Sequence, residues 1–142
     1  MTSEIILGGT QVCEHGLGLG GANTWGGWSG TYGAGVFVTL ANVSLTVSDG
    51  AGSYVSGAAT LTCYTGVPGT TFQGATEVDG GGPTVWGLQF FNNASEHTPW
   101  SFNWYAFLTP GSHSILVGIY VNGGTVTFDA NDGGTFISLE RP

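Results

Sequence analysis

No part of this chain has the residue pattern of an α-helix. Among its 142 residues, no stretch of ten or more keeps a 3.6-residue apolar period free of Gly, Pro or β-branched residues. Beyond Gly35 the apolar residues instead alternate with polar ones, as Val43, Leu45 and Val47 do. A period of two is typical of strands with one buried face. We therefore predict an all-β fold, a two-sheet sandwich or jelly roll.

Turn signals divide residues 36–142, the predicted sandwich domain, into about eight strands. A change of phase between Leu40 and Val43 predicts a bulge or a bend, and Asp49–Gly52 predicts a turn. The strands predicted after that turn are Tyr54–Thr65, Thr84–Phe91, Ser101–Leu108, Ser112–Val121, Thr125–Asp129 and Thr135–Glu140.

Alternation also assigns faces to the most aromatic of these strands. Phe102 and Trp104 are predicted to point into the sandwich, and their neighbours to point outward. Because both faces of the strand then carry rings that need cover, we predict that it lies centrally in a sheet or at a subunit interface. A sugar-binding platform is the alternative, because exposed Trp and Tyr rings stack on pyranoses. The candidate interface or ligand residues are Trp86, Trp100, Tyr105 and Phe107.

The first 35 residues are rich in glycine, which disfavours regular secondary structure. We predict that residues 1–35 form an N-terminal arm. Large apolar side chains lie between the glycines, and these are the candidate protein contacts: Leu17, Leu19, Trp25, Trp28 and Tyr32. Such side chains need cover, which either the chain's own domain or a neighbouring subunit could provide.

The charge balance restricts the classes of partner. Arg141 is the only Lys or Arg, against nine Asp and Glu, so the net charge is −8. Binding to nucleic acid, phosphorylated substrates or anionic membranes draws on Lys and Arg, so none of these is predicted as a partner. The chain begins without the basic flank and apolar stretch of a secretion signal, and has no apolar run long enough to span a bilayer.

No motif points to catalysis. The sequence lacks G-x-S-x-G, H-E-x-x-H and the phosphate-binding loop motif. It has only three histidines that could act as a general base: His15, His97 and His113. His113 shares a face with apolar residues and is expected to be a satisfied inward or edge histidine. We predict a protein that is not an enzyme and that has no cofactor.

Two patterns resemble metal sites only in part. The dipeptides Glu14–His15 and Glu96–His97 could meet at one ion, but they lie in polar loops without regular ligand spacing. The segment Asp129–Glu140 fits most of a calcium loop, yet Gly133 occupies the fifth position and both flanks read as strands. A tight hairpin turn is the preferred interpretation, and no metal site is predicted.

The two cysteines, Cys13 and Cys63, leave two alternatives open. They could form a disulfide, or they could stay reduced, as is usual for a cytosolic chain without a signal peptide.

The last third of the chain, FLTPGSHSILVGIYVNGGTVTFDANDGGTFISLERP, carries a family resemblance. Its segments Thr109–His113 and Phe136–Leu139 resemble the closing strands of small jelly-roll domains in phage virion proteins. Those domains are similar to tumour-necrosis-factor-like and complement-type globular heads. The resemblance implies a homotrimer that assembles in the host cytoplasm and is carried on the head or tail of the particle.

Together, these features predict a virion structural protein. The preferred interpretation is a capsid decoration protein that binds a capsid or tail protein as an oligomer and uses the arm to reach its neighbours. A tail or head fibre tip that binds glycans is the first alternative. A small lectin-like domain outside any virus is the second.

Overall fold

A computed structural model describes the backbone of residues 4–7, 10–13, 20–24, 29–47, 50–129 and 135–140, with side chains described within 29–47 and 50–129. In these ranges the chain forms twelve strands. They are β1 (Glu4–Leu7), β2 (Thr10–Cys13), β3 (Gly20–Thr24), β4 (Gly30–Gly33), β5 (Phe37–Val47), β6 (Ser53–Cys63), β7 (Thr71–Val78), β8 (Pro83–Phe90), β9 (Thr98–Leu108), β10 (Gly111–Gly123), β11 (Thr125–Phe128) and β12 (Thr135–Glu140). Across the described ranges, no helix is long and apolar enough to cross a membrane.

The strands form two main sheets and one small one, and all strand pairs are antiparallel. The six-stranded sheet has the order β2-β1-β5-β10-β7-β8, and the four-stranded sheet has the order β3-β12-β6-β9. Strands β4 and β11 form the small sheet. The fold is all-β and its sheets form a sandwich of the jelly-roll type, as the alternating sequence predicts.

The core lies between the two main sheets and comes from their alternating inward residues. In β10, Ile115, Val117 and Ile119 are all fully buried. In β6 the predicted inward residues, Leu61 and Cys63 among them, are also fully buried. Burial on one face of each strand is what the two-residue period requires.

The predicted bulge in the first long strand is confirmed. Thr39 and Ala41 of β5 pair with consecutive residues of β10, so Leu40 is the extra residue. Because of this change in phase, the consecutive residues Leu40 and Ala41 are both buried. Opposite the bulge the backbones approach so closely that a methyl group on Gly118 would overlap the carbonyl oxygen of Val38.

Residues 1–35, predicted as an arm, contribute four strands to these sheets. Strand β1 pairs with β5, β3 pairs with β12, and β4 pairs with β11. Tyr32 of β4 packs on the core, where its ring meets Phe128 edge-on at 6.2 Å. Strands that are distant in sequence provide hydrogen-bond partners for the backbone of these glycine-rich segments. These hydrogen bonds offset the low intrinsic strand propensity of the segments.

Candidate contact surface and polar cluster

The most exposed aromatic side chains lie on the outer face of the four-stranded sheet. In β9, Phe102 and Trp104 are buried, while Tyr105 is 63% and Phe107 is 52% exposed. The predicted inward and outward faces of this strand are therefore confirmed. Both rings lie toward the C-terminal end of an eleven-residue strand that pairs along its whole length with β6, and this pairing fixes their positions. Strand β9 is at the edge of its sheet, so a central position for it is wrong.

A third ring, which the sequence analysis did not single out, extends this surface. Tyr54 of β6 lies directly opposite Phe107, and the two rings meet edge-on at 5.1 Å. Tyr54 is more than half exposed. Its alternation with the inward residues of β6 was the signal that could have identified it. We call Tyr54, Tyr105 and Phe107 the aromatic face.

Within β6 and β9 the aromatic face has polar, uncharged neighbours, while on the other side of β6 strand β12 pairs Glu140 with Ser56. The outward positions of β6 and β9 beside the rings carry hydroxyl and amide side chains, and the Thr60 and Ser101 hydroxyls are hydrogen-bonded at 2.8 Å. Within β6 and β9 no Asp, Glu, Lys, Arg or His occurs. A partner that binds here is recognised by shape, ring contacts and neutral hydrogen bonds.

The predicted surface residues Trp86 and Trp100 are half-buried. Trp86 Nε1 donates a hydrogen bond to Thr76 Oγ1 at 2.8 Å, and the Trp86 ring lies 5.1 Å from that of Tyr105. Trp86 thus links the edge of one sheet to the aromatic face of the other. Trp100 packs on the core, since its ring stacks on Phe102 at a centroid distance of 5.1 Å.

A second exposed apolar group lies on the edge strand β8. Val85, Leu88 and Phe90 are all exposed there. The pairing of β7 with β8 shifts register between Phe72 and Gly74, so Gly87 and Leu88 of β8 lie opposite the single residue Gln73 of β7. A bulge of this kind interrupts the free edge and protects it from pairing with another chain.

Four of the predicted arm contacts, Leu17, Leu19, Trp25 and Trp28, lie outside the described residues. The fifth, Tyr32, lies in β4 against the core.

His113 is the centre of a polar cluster at one end of the sandwich. Its Nδ1 lies 2.6 Å from Asp79 Oδ2, and its Nε2 lies 2.7 Å from the carbonyl oxygen of Thr109. The backbone amide of Ser114 donates to Asp79 Oδ1 at 2.8 Å. The expected satisfied histidine is confirmed, while its partner, Asp79, was not predicted.

Two of these contacts set the charges of the pair. The Ser114 backbone amide, and then the hydrogen bond to His113, hold the pKa of the Asp79 carboxyl below its usual value. The hydrogen bond to Asp79 raises the pKa of His113, although partial burial acts in the opposite direction. Opposite charges are therefore favoured on the two side chains.

The polar cluster adjoins an open cavity of about 420 Å³ lined by hydroxyls of β5 and β10. An activated serine would need a histidine nitrogen as its base. Both nitrogens of His113 face other acceptors, and the Ser114 hydroxyl instead donates to Asn42 at 2.9 Å. The cluster thus has the residue types of a serine triad without its connectivity.

Other candidate ligand groups are dispersed. His97 Nε2 lies 3.8 Å from Asp129 Oδ2, and Glu96 accepts a hydrogen bond from Asn93 instead of joining them. In the part of the chain that the structure describes, no three His, Cys, Asp or Glu side chains converge as metal ligands do. Residues 130–134 of the calcium-like segment, and Glu14 and His15, lie outside it.

Cys63 of β6 is fully buried, and the side chain of Cys13 lies outside the described part of the chain. Both alternatives for Cys13 and Cys63, a disulfide and two reduced thiols, therefore stay open.

No protein-family model matches the chain, and no curated protein is similar to it in sequence. Solved structures do resemble its fold. The structure of T=1 particles derived from infectious bursal virus aligns with a TM-score of 0.54 at 12% identity, over 87% of this chain and 32% of that one. The chain thus spans about a third of the length of the capsid-particle chains that it resembles.

Two further structures are similar to the chain at lower scores. The Eiger TNF from S. frugiperda has a TM-score of 0.42 at 14% identity, covering 87% of this chain and 92% of that one. A carbohydrate-binding module of Cellvibrio mixtus lichenase 5A, solved with cellotriose, has a TM-score of 0.39 at 18% identity, over 87% and 88%. The likeness to the T=1 particle structure, at a TM-score of 0.54, supports the predicted jelly-roll fold, and the assignment to phage proteins stays a prediction.

Proposed function

We propose that this protein is a non-enzymatic structural component of a virus particle, a decoration protein that binds the particle surface as a homotrimer. The observation that carries the proposal is the aromatic face, formed by Tyr54, Tyr105 and Phe107. These three rings are exposed on one sheet, and the other outward residues of β6 and β9 beside them are uncharged. Tyr and Phe are enriched at protein interfaces, and charged residues are depleted at their centres.

The charge of the chain agrees with this role. With nine acidic residues and Arg141 as the one Lys or Arg, recognition by positive charge is unavailable to it. A neutral apolar face allows identical acidic copies to associate without placing their charges in contact. A closed oligomer then presents to the particle, at the same time, the surfaces of several copies that lie outside the oligomer interface, and this raises the avidity of the oligomer for the particle.

The likeness to a capsid-particle structure with a TM-score above one half supports a place in a virion, although it is a likeness of fold. Host cytoplasm is the proposed site of assembly. A capsid or tail protein is the proposed partner, and the segments around Trp25 and Trp28 are proposed to contact it.

The test of the aromatic face compares three proteins by light scattering and by cosedimentation with particles built from the major capsid protein of the same genome. The wild type is expected to have three times the mass of the single chain and to pellet with the particles. Tyr105→Ser combined with Phe107→Ser is expected to lose one or both properties. Val67→Ser, at an equally exposed residue in the turn between β6 and β7, is the matched control.

A monomeric wild type that leaves the particles unbound would overturn the proposal, as would a double variant that behaves as the wild type does. The role of residues 1–35 is tested separately by Trp25→Ser with Trp28→Ser. Point variants are preferable to deletion, because deleting residues 1–33 would also remove the strands that pair with β5, β11 and β12. Retained particle binding in this variant would contradict a contact role for the arm.

A second candidate function, the glycan-binding tip of a tail or head fibre, is favoured by one specific arrangement. The rings of Trp86 and Tyr105 lie side by side at 5.1 Å, next to neutral hydroxyl and amide groups. A pyranose stacks on such rings while its hydroxyls bond to the neutral groups. A glycan array read with the wild type and with Tyr105→Ala distinguishes the two functions, since only the fibre-tip function predicts a signal that the variant loses.

A further inference from the structure

Three separate parts of the chain meet at the imidazole of His113. Asp79 follows the end of β7, Thr109 follows the end of β9, and His113 itself lies near the start of β10. The Asp79 carboxylate and the Thr109 carbonyl oxygen lie at hydrogen-bond distance from the two different ring nitrogens, at 2.6 and 2.7 Å. The ring thus connects the β7–β8 turn to the β9–β10 turn.

Both partners of the ring are acceptors, which fixes its protonation. A peptide carbonyl only accepts, and an ionised carboxylate only accepts, so each ring nitrogen has to carry a hydrogen. A neutral ring would satisfy both contacts only if Asp79 donated the proton instead. The Ser114 amide donates to the other oxygen of that carboxyl group, and the Asp79 side chain is 45% exposed to water. Both conditions favour the ionised carboxylate over the neutral acid.

The conformation of the β7–β8 turn depends on the contact between Asp79 and His113. Asp79 has a φ of 51°, a left-handed conformation that is uncommon outside glycine, although Asp and Asn adopt it more readily than most residues, and three glycines follow it. Its backbone amide donates to the Ser114 carbonyl oxygen at 2.9 Å, and the Ser114 amide donates to its side chain. The strand that the turn leads into, β8, has β7 as its one strand partner in the sheet.

We propose that His113 is a pH-dependent clasp, which as an imidazolium holds the β7–β8 turn against the β9–β10 turn and on losing a proton frees the turn end of the β7–β8 hairpin, while β7 stays paired with β10. The neutral ring has one N–H for two acceptors, so one of the two contacts is lost above the pH at which the ring titrates. The hairpin whose turn end gains freedom carries the exposed Val85, Leu88 and Phe90 of β8 and contacts the aromatic face through Trp86. The clasp therefore couples pH to the mobility of an apolar edge of the sandwich.

The charged groups around the ring are few. Asp79 is the one whose described side chain contacts it. Glu77 of β7 is on the opposite face of its sheet, and β5 places the apolar Leu45 directly opposite the ring. The β9–β10 turn, Thr109 to Gly111, holds no titratable group. The side chains of Glu4 in β1 and Asp49 in the β5–β6 turn lie outside the described part.

The proton count is tested by nitrogen-15 NMR of the wild type, in which protonated and bare ring nitrogens have separate shifts. Two N–H groups on His113 at pH 6 are expected. A single N–H at pH 6 would overturn the proposal.

Release of the turn end of the hairpin is tested by hydrogen exchange of the Ser114 amide and the β8 amides, expressed as protection factors corrected for intrinsic exchange. In the wild type the Ser114 protection factor is expected to fall by about tenfold or more between pH 6 and pH 9, with a parallel fall in β8. Protection that is constant over this range would overturn the proposal.

Asp79→Asn is the informative variant, because Asn tolerates a left-handed φ and keeps an acceptor for the Ser114 amide. Its amide nitrogen faces His113 Nδ1 as a donor, so the variant favours the neutral ring. The fall in protection with pH is expected to disappear in Asp79→Asn and to persist in His97→Gln, the control at a histidine beside Asp129. The opposite pattern in the two variants would contradict the clasp.

Discussion

Phe102 of β9 packs face to face with the backbone of Gly74 of β7, across the interior of the sandwich. A methyl group added to Gly74 would overlap the ring atoms of Phe102. The contact brings the two sheets together where Phe72, Phe102 and Trp100 interlock, with Trp100 within 5.1 Å of both other rings. The distance between the two sheets at this point therefore requires a residue without a side chain at position 74.

Gly74→Ala is expected to lower the free energy of unfolding by about 1–3 kcal/mol, because a well-packed core accommodates an added carbon only by straining its neighbours. Urea unfolding followed by tryptophan fluorescence measures the change. Gly66→Ala is the matched control, since a methyl group there meets no atom within 4 Å. Equal unfolding midpoints for the two variants would show that the ring moves aside without cost.

The second stability prediction concerns Thr65 and Thr70, whose buried hydroxyl oxygens lie 2.7 Å apart. The Thr70 hydroxyl donates a hydrogen bond to the Val67 carbonyl oxygen at 2.9 Å. The Thr125 backbone amide donates to Thr70 Oγ1 at 3.4 Å. Thr70→Val keeps the shape and removes these bonds, so a loss of about 1–3 kcal/mol in unfolding free energy is expected. The same change at the exposed Thr39 of β5 is expected to cost less than about 0.5 kcal/mol in the same measurement. Similar losses at both positions would argue against a role for the buried hydroxyls.

The sequence was sufficient for features that depend on local alternation. The inward Phe102 and outward Phe107 of β9, and the bulge at Leu40, all follow from the period of two and its change of phase. The satisfied state of His113 followed from its apolar neighbours along β10. These features required no knowledge of which strand lies beside which.

Features that depend on distant pairing could not be predicted from the sequence. Gly30–Gly33 forms a strand because Thr125–Phe128, more than ninety residues later, provides its hydrogen-bond partners. Asp79 meets His113 because the β7–β10 register places Val78 opposite Ile115. Local propensity favours loops at both glycine-rich sites, and only long-range contacts override it.

The pH dependence of stability follows from the signs of two pKa shifts. The pKa of His113 is raised by its hydrogen bond to Asp79, so its contribution is complete below the usual value of 6.5 and is lost as the pH rises through the folded-state pKa. The pKa of Asp79 is lowered, first by the Ser114 amide, so its contribution is complete above 3.8 and is lost as the pH falls through the folded-state pKa. The pair therefore stabilises the fold most between these two values.

Urea unfolding from pH 3 to pH 9 measures this contribution as the difference between the wild type and His113→Gln. The difference is expected to be largest near pH 5 and to shrink on both sides. Taking a difference cancels the other acidic groups, which titrate in both proteins. A difference that increases above pH 7 would mean that the ring is neutral in the folded protein and that the assigned sign is wrong.

The aromatic face provides the last prediction, which separates stability from association. Phe107 and Tyr54 are both more than half exposed, so Phe107→Ser removes little buried area within one chain and is expected to change the unfolding free energy by about 1 kcal/mol or less. If the face is covered in an oligomer, the same change removes area from the centre of the interface and is expected to raise the dissociation constant by about tenfold or more. Sedimentation over a range of protein concentrations measures the second effect, and urea unfolding of the dissociated chain measures the first. A variant that loses stability without any change in association would assign these rings to the packing of a single chain and would remove the main support for a contact role.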